Sequence, residues 1–165
     1  MEGLGRLYDI APAFNPVDIS GGAVTGKRVY VGDCTGAALV IVKSVEAGTD
    51  DPVITFQEHK VSSSGTPITH NIDHYYYKAH ATAPETTAWV KVSGVATGAV
   101  TFTGLAALAG IIVVPINMTS LSDTYKYLSA NVADAGSTAQ LATAIWELND
   151  LNVQRAPANL AKTLR

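Results

Sequence analysis

From residue 111 to residue 148 the chain reads strand, polar turn, strand, glycine-bearing turn, strand: IIVVPIN, MTSLSDTY, KYLSANVAD, AGSTAQ, LATAIWEL. Apolar runs broken this often by turn residues leave no room for a long helix and point to consecutive β-structure. In residues 126–132 the alternation sends Leu128, Ala130 and Val132 inward, and Tyr127, Ser129 and Asn131 outward. Residues 141–148 put Ala144, Trp146 and Leu148 on one face. Ala, Leu and Glu favour helix, but the flanking turns and the tandem position predict a strand.

The same cadence runs upstream. KRVYV (27–31) predicts a short strand, and AALVIVKSV (37–45) a buried one of β-branched character. After the turn AGTDD, residues 52–59 alternate, with Ile54 and Phe56 inward and Thr55 and Gln57 outward. Further strands are expected at 75–81, at AWVKV (88–92) and at 111–116. Strands this short, at spacings of about ten residues, predict an all-β, single-domain, jelly-roll-like β-sandwich. Residues 1–25 hold Pro12, Pro16 and Gly21-Gly22 and are expected as an N-terminal arm or a first edge strand. Residues 26–148 form the sandwich domain, and 149–165 an extended C-terminal tail.

Composition narrows the function. Hydrophobic residues are 47% of the chain, enough for a core, while charged residues are only 15%, below the roughly 25% of typical soluble proteins. The surface is therefore built from Ser, Thr, Asn, Gly and Ala, as in proteins that pack against partners. A net charge of −3 supplies no field for nucleic acid. The start MEGLGRLYDI has an early acid and no apolar segment, so it does not read as a secretory signal. With one cysteine, Cys34, the chain is expected to fold in a reducing cytosol. Residues 92–122 are free of charge, but Gly98, Gly104, Gly110 and Pro115 punctuate them. A loop leading into a buried strand fits better than a membrane span, which wants about 20 consecutive apolar residues.

The search for chemistry finds little. Cys34 lacks a visible activating base and reads as an ordinary thiol. His70 and His74 in THNIDHYYYKAH would share a strand face with rings about 13 Å apart, too far to share a metal. The four histidines are expected as polar surface residues. Asp50, Asp51 and Asp123 fall in turns. G-x-S-x-G, P-loop and dinucleotide fingerprints do not occur. An enzyme, a metal and a cofactor are not expected. The run Tyr75-Tyr76-Tyr77 offers large contact area at low entropic cost, with at most two rings outward.

The run ALVIVKSVEAGTDDPVITFQE, the strand AWVKV, and IIVVPINMTSLSDTYKYLSANVADAG followed by LATAIWEL resemble the capsid decoration (cement) proteins of tailed bacteriophages. In that family a strand ending in an L-S-D turn leads into a Y-K-Y-L strand and closes with a polar glycine turn. The resemblance covers about residues 26–148; HNIDHYYYKAH and the C-terminal tail lie outside it. It implies a jelly-roll-like virion protein, made in the host cytoplasm, that binds the outside of the capsid shell and stabilises it. The implied partners are the major capsid protein and further copies of the chain, as a homotrimer, without nucleic acid or membrane. Expected capsid or subunit contacts are Tyr75, Tyr76 and Tyr77, with Arg155, Lys162 and Arg165 of the tail placed to meet an acidic shell. The alternatives are a tail or head-fibre adsorption module that binds carbohydrate, and a small β-barrel enzyme or metal protein.

Overall fold

A computed structural model describes residues 3–45, 47, 48, 50–80, 88–105 and 107–153. Eleven strands occur among them: β1 (Tyr8–Asp18), β2 (Val29–Tyr30), β3 (Cys34–Lys43), β4 (Val53–His59), β5 (Ile68–Thr69), β6 (Ile72–His80), β7 (Val90–Thr97), β8 (Ala99–Thr101), β9 (Ala109–Asn117), β10 (Tyr127–Val132) and β11 (Leu141–Leu151). The described helical structure is two 3-10 turns, Thr103–Leu105 and Met118–Ser120.

The strands form two antiparallel sheets. One has the order β1-β11-β3-β9-β6-β7; the other runs β2-β10-β4-β5, with β8 also on β4. The pairings have a simple rule. β1 pairs with β11, β2 with β10, β3 with β9 and β4 with β8. The first half of the chain thus lies antiparallel to the last half as one long ribbon, rolled so that alternate pairs fall in opposite sheets. This is the jelly-roll wrap. β5, β6 and β7 are inserted between β4 and β8, and β6 extends the larger sheet beyond β9. HNIDHYYYKAH, outside the family resemblance, supplies β6 of that insertion.

The core is the alternation expected from sequence. Ile54, Phe56, Leu128, Ala130 and Val132 of one sheet meet Leu39, Ile41, Ile112, Val114, Ala144, Trp146 and Leu148 of the other, all buried. Burial of apolar surface of this kind is worth about 25 cal/mol per Å2. The last strand is a strand, as its turns predict, because Trp146 and its i±2 neighbours all point into the sandwich.

Of the two readings of the N-terminal segment, an edge strand is found over residues 8–18. β1 buries Ala11, Ala13 and Phe14, and register shifts on either side of Phe14 place its prolines at an edge. Asp18 ends it: Oδ1 accepts hydrogen bonds from the Ser20 and Gln140 backbone N–H groups. The charge-free stretch after residue 92 resolves into the end of β7, β8, a 3-10 turn and β9. No helix of the described residues is long and apolar enough to cross a membrane.

The histidines correct an expectation. His59 and His70 are buried, not surface residues. Glu58 ends β4 on its inner face and takes a 2.8 Å hydrogen bond with His70 Nδ1, while its Oε2 accepts the Ser122 N–H. The pair ties the β5–β6 junction and the turn before β10 to β4. His70 and His74 do not share one strand, because β5 ends at Thr69 and β6 begins at Ile72. On the outer face of β4, His59 Nε2 is 2.8 Å from Ser129 Oγ.

Candidate interaction face

Antiparallel sheets of a sandwich ordinarily bury one face and present polar residues on the other. The six-stranded sheet departs from this. The register aligns Pro12 with Ile145, Ile145 with Val40, Val40 with Val113, Val113 with Tyr76 and Tyr76 with Lys91. This row crosses all six strands on the outer face and carries no charge before Lys91. The next row places Thr143 beside Val42, Val42 beside Ile111 and Ile111 beside Lys78. On the other side lie Ile10, Glu147, Ala38 and Pro115.

The face is open to solvent. Val42 is 47% exposed, Ile10 46%, Ile145 38% and Ile111 38%. Leu141 continues it to the sheet's end, where Pro16, Val42, Ser44, Leu141 and Thr143 line a shallow groove of about 260 Å3. β3 and β9 thus carry apolar residues on both faces, because their β-branched runs do not alternate with polar residues, and β11 adds Leu141 and Ile145 among Thr143 and Glu147. Contiguous apolar patches beyond a few hundred Å2 are uncommon on monomers and mark interaction sites.

The tyrosine run is split by the pleat. Tyr75, expected at a contact, is instead in the core: 4% exposed, with its ring 4.8 Å from Phe102 in edge-to-face geometry. Burial raises its phenol above the ordinary range. Tyr77 points to the same side, partly buried against the core. Tyr76 alone faces outward, with the His74 ring 5.4 Å away edge-on and Lys91 Nζ 5.7 Å from its centroid. Arg155, Lys162 and Arg165 lie outside the described residues.

Sequence reasoning missed the apolar face itself. Its signal was the absence of alternation in AALVIVKSV and IIVVPIN, which marks a strand apolar on both sides.

The remaining chemistry is subdued. Cys34 is buried, donates its S–H to the Val31 carbonyl, and is pushed up to about 11, first by burial and then by Asp33 and Asp9. A thiol held protonated at neutral pH is a poor nucleophile. Lys43 is buried and donates to the carbonyls of Leu105 and Leu108, pinning the turn before β9. Among the described residues, no group of three or more His, Cys, Asp or Glu is placed to hold a metal ion. Comparison with family models, curated proteins and solved structures returned no match.

Proposed function

We propose that this chain is a phage virion structural protein that binds the outside of the capsid shell and stiffens it as a symmetric oligomer. The observation that carries an assembly role is the uncharged row Pro12, Ile145, Val40, Val113 and Tyr76 on an exposed sheet face. Such a face favours burial against another protein, since apolar area removed from water is worth about 25 cal/mol per Å2 before the costs of association. The choice of a capsid as the assembly rests on the resemblance of residues 26–148 to decoration proteins, and the jelly-roll wrap is compatible with it. Many copies on one shell convert a modest patch into avidity.

The test is to mix the purified protein with phage heads stripped of decoration, then count bound copies and follow the shell's melting temperature. Saturable binding in a multiple of the capsid symmetry, with a raised melting temperature, is expected. Absence of binding to such heads removes the reading.

One observation favours an adsorption module instead. Trp89 is 50% exposed beside β7, and Tyr76 faces outward near His74, so aromatic surface is available to a sugar ring. Glycan-array binding by a protein that ignores heads would select that reading.

A further inference from the structure

We propose that two copies of this chain pair face to face through the outer surface of the six-stranded sheet. The inference rests on reading this surface as an interface, and not on the capsid assignment. Its occupant is a second copy because the face is complementary to itself.

The charges flanking the apolar rows are divided. Glu147, on β11, lies on one side of the central strands β3 and β9. Lys78, on β6, and Lys91, on β7, lie on the other. A two-fold axis in the interface, running along the strands between β3 and β9, carries β11 of one copy over β6 of the other. Val40 then lies over Val113 of the second copy, and Ile145 over Tyr76. Glu147 comes over β6 one row from Lys91 of the second copy, while Lys78, two rows from it, comes over Thr143. The contact occurs twice, once for each copy's acid, as an isologous interface requires. Sheets stacked this way keep their strands within about 30° of each other, about 10 Å apart.

The size is adequate. Six strands about 4.8 Å apart, with nine residues in β9 rising about 3.4 Å each, make a face of roughly 700 Å2. A standard interface buries about 800 Å2 per partner. Edge-to-edge pairing is the poorer route. β1 carries Pro12, Pro16 and two register shifts, and β7 is distorted by Gly94 (φ 73°) and Ala96 (φ 44°). The proposed two-fold pair differs from the threefold arrangement implied by the sequence resemblance.

The test is sedimentation equilibrium of the full chain at micromolar concentration. Twice the chain mass is expected. Val42→Lys and Ile145→Lys should each yield a monomer with an unchanged circular dichroism spectrum, because both positions are solvent-exposed. Glu147→Lys should weaken the dimer several-fold, and Glu147→Lys with Lys91→Glu should recover it. A wild-type monomer, a trimer, or a dimer indifferent to Val42→Lys and Ile145→Lys overturns the pairing. Head binding by the same proteins separates the two readings. A wild-type monomer that still stiffens heads overturns the pairing and leaves the capsid role. A dimer through this face that ignores heads supports the pairing and removes the capsid role.

Discussion

His70 Nδ1 lies 2.8 Å from Glu58 Oε1, and both side chains are 3% exposed. Removing one partner strands the other in the interior, at a cost of about 3–5 kcal/mol, whereas replacing both with apolar groups is often neutral. Glu58→Ala and His70→Ala should therefore each lower stability by about 3 kcal/mol, and Glu58→Leu with His70→Leu by clearly less. Urea midpoints of the four proteins check this. Single variants within about 0.5 kcal/mol of wild type, the range of ordinary surface substitutions, would refute the buried pair.

The two tryptophans should be spectroscopically distinct. Trp146 is fully buried and Trp89 half exposed. Trp89→Phe should leave a blue-shifted emission that iodide does not quench. Trp146→Phe should leave a red-shifted, quenchable one. Equal quenching of the two variants would contradict the placement of β11 in the core.

Facing matters more than hydrophobicity along β3. Val42→Lys, on the open face, should still fold, losing only the stability that pairing with a second copy contributes. Ile41→Lys, one residue away and 2% exposed, buries an unpaired charge and should prevent folding. Thermal melts of the two variants decide it; similar melting temperatures would mean the register is wrong.

Acid should act through His59. Burial first, and Arg28 second, hold its imidazole down at about 4. The unfolded chain binds that proton near pH 6.5 and the folded one only near 4. The stability associated with a neutral His59 is thus complete above about pH 6.5 and is lost as pH falls toward 4. Between pH 7 and 4.5 the loss is on the order of 2 kcal/mol. His59→Gln should show a flatter profile of urea midpoint against pH over this window; an unchanged slope would assign the effect elsewhere.

The strands were legible from sequence because their signal is local. Alternation in residues 52–59 and 126–132 marks inward Ile54, Phe56, Leu128, Ala130 and Val132, and all five are buried. β1 was half-hidden by Pro12 and Pro16, which weaken a strand pattern although an edge tolerates them. β6 and β7 were legible only in part, since His74 and Gly94 sit where their pairing is irregular. The pairing of Glu58 with His70 was not legible, because the two stand twelve residues apart, past a turn. The tyrosine run showed that the pleat must divide it, but not which ring would face out.

By itself the sequence determined an all-β sandwich and most of its core, because side-chain direction in a strand follows a period of two that any short window displays. Only the tertiary structure decided the roll that pairs the first strand with the last, and with it the outer face. Pro12, Val40, Tyr76, Val113 and Ile145 are scattered through the chain and meet in one row only after five strands have set their registers. Register is a long-range agreement between strands, and no local window carries it.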